Sequence, residues 1–314
     1  MNLNDFMDPE DQVKEGYLLF DMSQIALAAA LQNFEDKEPV STTMVRHVVL
    51  NSIRYNLKKF RAKYPNVILA FDNHEGGYWR RKYGWYYKKT RAEGREESQW
   101  DWEGYFTAMN KLVEEFPRFM PYYSLSIPGV EADDTIGVLT ERLALQGHPI
   151  MIISSDGDYT QLHKFKEVKQ WSPMHKKLVH VKNGSARMDL FHKLLKGDRK
   201  DSVASIRVRN DFWANRVEGE RTPAMKAKVI EECAAADGYD QIESILKEAY
   251  PNDLNLIERF KENEIMIDMS KMPAYIKQSI LDKFEQYNLA PRSRIYSYFV
   301  KCGLAKLMNS INEF

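Results

Sequence analysis

Short apolar runs alternate along this chain with longer stretches of helical period. The runs Tyr17-Leu18-Leu19-Phe20, Val67-Ile68-Leu69-Ala70-Phe71 and Ile150-Met151-Ile152-Ile153 are brief, and the last two are rich in branched residues. They predict buried strands over residues 17–21, 67–72 and 149–155. Between them, residues 23–32, 42–64, 98–119 and 131–146 read as helices. Val45, Val48, Val49, Ile53 and Leu57 recur near helical spacing in the second, and Trp102, Phe106, Met109 and Val113 share one side of the third. Gly147 supplies a stop for the fourth. Residues 167–181 predict a hairpin with its turn near Pro173. From about Met188 onward the signals are nearly all helical, ending in a terminal helix over 292–314 that docks on the body. The alternation implies an α/β fold, with a central mostly parallel sheet covered by helices on both faces. The expected organisation is a flexible tail over 1–15, an α/β domain over 16–185 and a helical subdomain over 186–314.

With 314 residues, 44% of them hydrophobic, the chain can bury one large core or two smaller ones. Cys233 and Cys302 follow no metal-ligand spacing and read as reduced thiols of a cytoplasmic protein. Residues 1–15 carry no apolar secretory segment. The apolar-rich stretch 17–34 is interrupted by Asp21, Gln24 and Gln32, so no membrane span is expected. The formal net charge is zero but unevenly placed. Residues 187–228 hold 11 Lys/Arg against 6 Asp/Glu, and residues 231–268 hold 3 against 11. A basic stripe beside an acidic one predicts an oriented polyanionic partner.

The chemistry lies in the acids. Each predicted strand runs into aspartate: Asp21, Asp72, and the pair Asp156 and Asp158. Two more clusters are Glu131, Asp133 and Asp134 at a helix start, and Asp198 and Asp201 in a basic loop. Ligands of parallel sheets bind beyond the carboxyl ends of the strands, where these acids fall. So much gathered negative charge calls for cations, and carboxylates with water suit Mg²⁺ or Mn²⁺. Two such ions roughly 4 Å apart bind a scissile phosphate and activate water. In the first turn of a helix, acids also serve as caps, so spacing alone does not say which of Glu131, Asp133 and Asp134 bind metal.

Residues 78–95 read YWRRKYGWYYKKTRAEGR, with seven Lys/Arg and six aromatics, and follow Asp72 closely. Positive charge for phosphates and rings for bases suit a single strand held over the acids.

Taken together, the segments FD at Asp21, FDN at Asp72, EADD at 131–134, SSDGD at 154–158 and GDRKD at 197–201 resemble the flap endonuclease / 5′-nuclease superfamily. Longer phrases, among them GYWRRKY, SSDGDYTQLH, VKQWSPMHKK and the ending NSINEF, are similar to its T-even bacteriophage RNase H branch over nearly the whole chain. The resemblance implies a PIN/5′-nuclease-like fold, a helical arch over 78–97 and a helix–turn–helix-like duplex-binding motif. It implies a monomeric Mg²⁺-dependent 5′→3′ exonuclease and flap endonuclease. Such an enzyme acts on RNA–DNA and DNA–DNA duplexes with 5′ ends, flaps or forks. It removes RNA primers from lagging-strand fragments in phage replication, in the host cytoplasm. By position, Asp21, Asp72, Asp133 and Asp156 would surround a first Mg²⁺, supported by Glu131 and Asp134. Asp158, Asp198 and Asp201 would surround a second, with Mn²⁺ able to substitute. Arg80, Arg81, Lys82, Tyr87, Lys88, Lys89 and Arg91 would lie on the arch, Lys88 reaching the scissile phosphate. Asp21, Asp72, Asp133, Asp156, Asp158, Asp201 and Lys88 are thus the expected catalytic set.

The family's glycine-rich phosphate loop is replaced here by Ser205-Ile206-Arg207-Val208-Arg209-Asn210, with Glu218–Pro223 only later. Duplex contact would then fall to Lys200, Arg207, Arg209, Arg221, Lys226 and Lys228. No histidine is expected as a base, His74 reading as a surface-loop residue. Ser154 and Ser155 read as strand-end hydrogen bonders. Leu3, Phe6 and Met7 in the acidic tail predict a tether to a sliding clamp, and the terminal helix a dock for a single-stranded-DNA-binding protein. Two other classes compete: a non-enzymatic nucleic-acid scaffold, which leaves the acids unexplained, and an aspartate-dependent phosphotransferase, which leaves 78–95 unexplained.

Overall fold

The computed structural model describes residues 14–314; residues 1–13 of the predicted tail, with the clamp tether at Leu3, Phe6 and Met7, lie outside the described residues. Six strands form one sheet in the order β3-β2-β1-β4-β5-β6. They are β1 Tyr17–Asp21, β2 Asn66–Phe71, β3 Tyr123–Ser126, β4 Ile150–Ile153, β5 Val168–Ser172 and β6 Lys177–Val179. All neighbours pair in parallel except the β5–β6 hairpin. The strands beside β1 run outward in opposite senses of chain order, so the switch point lies at the ends of β1 and β4, where Asp21 and Asp156 sit.

Side chains on each strand alternate between two cores, as the pleat requires. Leu18 and Phe20 of β1, Val67 and Leu69 of β2 and Met151 and Ile153 of β4 face one. Leu19, Ile68, Ile150 and Ile152 face the other. The first face is covered by α1 (Met22–Leu31), α2 (Thr42–Phe60) and, after the short α3 (Lys89–Glu96), by α4 (Trp102–Phe119). The second is covered by α5 (Ala132–Leu145). Helix α2 stops short of the predicted Tyr64, which precedes Pro65 and is disfavoured from helical geometry.

The chain then builds a separate core from α6 (Ala186–Lys196), α7 (Ala227–Ala235), α8 (Tyr239–Ala249) and α9 (Leu256–Ile267), centred on Leu195, Ile230, Leu246 and Phe260. It does not remain there. Helix α10 (Ala274–Glu285) returns to the α5 face. Helices α11 (Arg294–Lys301) and α12 (Ala305–Met308), with the terminal Phe314, return to the α2–α4 face. The single terminal helix expected over 292–314 is broken at Gly303, whose φ of 66° suits glycine.

Docking of α11 is fixed by an ion pair. Glu115 of α4 receives hydrogen bonds from Arg46 Nε and Nη2 of α2 at 2.7 and 2.6 Å, and from the Tyr298 hydroxyl of α11 at 2.8 Å. Burial alone would raise the Glu115 pKa, but the bonds from Arg46 and Tyr298 outweigh it and hold it below the usual carboxylate range. A depressed pKa contributes stability above the unfolded value that is lost as pH falls through the folded one. Glu115→Ala is expected to lower unfolding free energy by about 1–3 kcal/mol at neutral pH. The deficit should shrink as pH falls below the ordinary carboxylate range, measured by urea titration at pH 7 and pH 3.5. A deficit independent of pH would overturn the ionic account.

Candidate active site

One cleft of about 280 Å³ opens at the carboxyl edge of the sheet. Asp21 ends β1, Asp72 follows β2, Glu131 and Asp133 start α5, and Asp156 and Asp158 follow β4; with Asp201 all of them line it. Asp198 lies in an adjoining trough that shares Asp156 with the cleft. Its loop is held by Gly197, at φ 76°, where a Cβ would meet the Val203 carbonyl oxygen at 2.4 Å. Carboxylate oxygens come within 4.8 Å of one another in two groups, Glu131 with Asp133 and Asp134, and Asp158 with Asp198 and Asp201.

Local geometry aims these acids. The Asp21 carboxylate accepts from the Gln24 amide at 3.1 Å, capping α1, and from the Ser154 hydroxyl at 2.9 Å. Ser154 is thus a hydrogen bonder, as its sequence position suggested. Asp72 accepts from the Ala132 amide at the start of α5 at 2.7 Å, which ties β2 to that helix. Burial pushes the Asp21 carboxyl up to about 7, with Asp72 and Asp156 adding to it. Burial, then Glu131, pushes Asp133 up to about 6. The Asp133 Oδ1 atom is buried with no hydrogen-bond partner. Hard oxygen donors, crowded, buried and incompletely paired, fit a divalent cation such as Mg²⁺.

Cationic side chains are threaded among the acids. Lys200 Nζ lies 2.7 Å from Asp156 Oδ1 and 2.7 Å from Asp158 Oδ2. Burial would raise the Asp156 pKa, but Lys200 outweighs it and lowers it. Lys193 Nζ pairs with Asp158 and sits 2.8 Å from Asp198 Oδ2. Arg91 pairs with Asp201 and Lys88 with Glu131. Lys88 carries its ammonium there from a left-handed backbone, φ 56°. Lys193 was missed in the sequence, although it stands five residues before Asp198 in a run of basic residues.

Two residues, Arg80 and Tyr87, sit elsewhere than their sequence reading placed them. Arg80, read as an arch contact, is only 2% exposed, and its guanidinium reaches Glu131 Oε2 at 2.8 Å and Asp134 Oδ1 at 2.7 Å. It is an internal countercharge, stacked 4.5 Å from the centre of the Trp79 ring. Tyr87 is equally buried, and its hydroxyl donates to Glu131 at 3.0 Å. Asp134, expected to support the metal shell, is fully buried behind the cleft wall, accepting from Trp79 Nε1 at 2.8 Å and from the Glu131 amide at 3.1 Å. The reason is common to Arg80 and Tyr87: the acids of α5 need buried partners, and 78–88 provides them.

The rest of 78–97 does not stand free of the body. Tyr78, Tyr86 and Tyr87 form a small core with Val203 and Met266. The Lys88 amide donates to the Asp201 carbonyl at 2.9 Å, and Arg91 Nε to the Lys200 carbonyl at 2.9 Å. Arg81, Lys88 and Arg91 line the cleft. Lys82 and Lys89 lie outside it, against the rings of Tyr275 and Trp85. Farther along, Arg207 pairs with Asp253 and Arg209 with Glu220, while Arg221, Lys226 and Lys228 are exposed. His74 is exposed, yet its ring packs on Tyr78 and lines the cleft beside Asp72. Trp102, Tyr105 and Phe106 of α4 also line it, which helical spacing alone did not reveal.

Comparison with known proteins agrees with this geometry. Residues 17–189 match the family described as 5′-3′ exonuclease, N-terminal resolvase-like domain, and residues 184–314 match the family described as T4 RNase H, C terminal. The chain is 52% identical over 306 residues to the ribonuclease H of Enterobacteria phage T4, covering 97% of this chain and 98% of that protein. It is 28% identical over 163 residues to DNA polymerase I of Deinococcus radiodurans, covering 50% of this chain and 16% of the polymerase. Among solved structures, the phage T5 D15 flap endonuclease bound to DNA and metal ions superposes with a TM-score of 0.61 at 17% identity, covering 87% of this chain and all of that one. A zinc-bound T5 5′-exonuclease gives 0.58 at 15% identity over 87% of this chain. These last two establish a shared fold.

Proposed function

Since the chain belongs to the 5′-3′ exonuclease family that includes the ribonuclease H of phage T4, we propose that it is a metal-dependent 5′-nuclease. Its reaction is hydrolysis of phosphodiester bonds from the 5′ side of RNA–DNA and DNA–DNA duplexes, as exonuclease and flap endonuclease. The carrying observation is the convergence of acids from three strand ends, the start of α5 and one loop on a single cleft, with a buried Asp133 oxygen that has no hydrogen-bond partner. A non-enzymatic scaffold has no use for that arrangement.

In this reading Asp21, Asp72, Asp133 and Asp156 hold one Mg²⁺, and Asp158, Asp198 and Asp201 hold a second, with Mn²⁺ an acceptable substitute. Bound there, such ions supply Lewis acidity to the phosphodiester and lower the pKa of water. The chain's own groups do the rest. Glu131, pinned by Arg80, Tyr87 and Lys88, fixes the start of α5 and so the position of Asp133. Lys88 and Arg91, paired with Glu131 and Asp201, carry positive charge into the cleft, where a phosphate would enter. Lys200, Arg221, Lys226 and Lys228 continue that charge outward toward a duplex.

Removal of RNA primers in phage replication, within the host cytoplasm, follows from this activity. Among the described residues no helix is long and apolar enough to cross a membrane. On α11, Tyr296 and Val300, both 59% exposed, offer a surface to a single-stranded-DNA-binding protein.

The test is cleavage of a labelled duplex with a 5′ RNA segment or a 5′ single-stranded tail, in Mg²⁺ and in EDTA. Short products from the 5′ side, abolished by EDTA and restored by Mg²⁺, are expected. Tight binding without any cut would transfer the weight to a scaffold role.

A further inference from the structure

The cleft has two unlike walls. The strand ends contribute carboxylates, and α4 contributes an apolar face with Trp102, Phe106, Met109 and Val113 at successive helical positions. A phosphate and its cations have no use for such a wall. Trp102 and Phe106, like Val113, are half-buried, packed on the edge of the core where the cleft opens. Their rings stack 6.1 Å apart with 29° between planes. The Arg95 guanidinium lies over both, 5.7 Å from the Trp102 ring centre and 5.6 Å from that of Phe106.

The row of rings reaches the acids. The Phe106 ring meets His74 edge-on at 6.1 Å, and His74 Nε2 lies 3.0 Å from the Tyr78 hydroxyl. That hydroxyl donates to Asp72 Oδ2 at 3.3 Å. Aromatic faces and a guanidinium plane form a surface on which nucleobases stack irrespective of sequence. A base stacked within a duplex has both faces covered, so only an unpaired base can use this wall.

We propose that the Trp102–Phe106 wall, roofed by Arg95, is a base-stacking subsite for the unpaired nucleotide next to the reacting phosphate. It rests on the nuclease reading and names how that site selects 5′ ends and flaps over continuous duplex. Trp102, Phe106 and Arg95 act on the substrate's base, not on the bond that breaks.

The experiment pairs protein and DNA changes. Wild type, Phe106→Leu and Phe106→Tyr are compared on flap substrates with a normal base or an abasic residue next to the cut. Wild type and Phe106→Tyr should prefer the normal base about tenfold or more, in line with the strength of a base–aromatic stack. Phe106→Leu, which keeps the apolar bulk, should lose that preference and cut both substrates at the abasic rate. An equal loss on both substrates, or no loss, would overturn the subsite. The same cycle read as binding of normal and abasic oligonucleotides without divalent metal decides the matter independently of cleavage, so an inactive wild type would sink the nuclease reading alone.

Discussion

Asp156→Asn is expected to lower cleavage by about 10³-fold or more, on the order of 4 kcal/mol of barrier, without weakening DNA binding. Asp156 follows the strand beside β1 at the switch point and lines both the main cleft and the trough that holds Asp198. No other acid of the strand ends borders both. Its pKa is lowered, because Lys200 outweighs the effect of burial. It is therefore a carboxylate at neutral pH and ready to hold a cation. The amide is nearly isosteric but neutral, a poor ligand for a hard ion. Folding should survive, since Lys200 retains Asp158 at 2.7 Å. Removing one negative charge from the phosphate path should leave affinity unchanged or improve it. The measurements are single-turnover cleavage in Mg²⁺ and filter binding in Ca²⁺. Turnover within about tenfold of wild type would remove Asp156 from the catalytic set.

How much of this was legible beforehand varied with how far each signal had to travel. The strands β1, β2 and β4 announced themselves because they are buried on both faces and so read as unbroken apolar runs. Strand β3, Tyr123–Ser126, alternates Tyr and Leu with two serines over four residues, too short and too polar to stand out. The acids at the strand ends were readable because topology alone delivers them to one edge. The basic-aromatic segment was not. Composition assigns charge to the surface, yet Arg80 is drawn inside by Glu131 and Asp134, about fifty residues later in sequence. Whether a ring in 78–95 packs inward, as Tyr86 and Tyr87 do, or stays outside, as Tyr83 and Trp85 do, depends on Val203 and Met266. The return of α11, α12 and Phe314 to the first core was foreseen only as a docking terminal helix, because an amphipathic face does not say which surface it will cover.

Arg80 gives the second large effect, and it separates burial from binding. Its side chain is 3% exposed, between Glu131 at 1% and Asp134 at 0%. Burial would lower the arginine's pKa, but Asp134, Asp133 and Glu131 outweigh it, so the guanidinium stays charged. Arg80→Ala leaves two buried carboxylates short of their shared countercharge. Glu131 keeps Lys88 and Tyr87, but Asp134 keeps only neutral donors, Trp79 Nε1 and the Glu131 amide. Breaking a buried pair by removing one partner costs about 3–5 kcal/mol. For a chain of this size that predicts a fall in Tm on the order of 10 °C. Arg80→Lys should recover little, because a single ammonium cannot bridge both carboxylates and stack on Trp79 at once. Any folded Arg80→Ala protein, assayed well below its Tm, should bind a flap substrate within about threefold of wild type, since the lost charge never faced the phosphate path. Thermal unfolding followed by circular dichroism and binding in Ca²⁺ read the two effects separately. An unchanged Tm with binding weakened severalfold would restore Arg80 to the surface of the arch. The expected pattern instead makes the basic segment a composite: Arg80 and Tyr87 neutralise and position the acids from within, and Arg81, Lys88 and Arg91 meet the nucleic acid from the cleft wall.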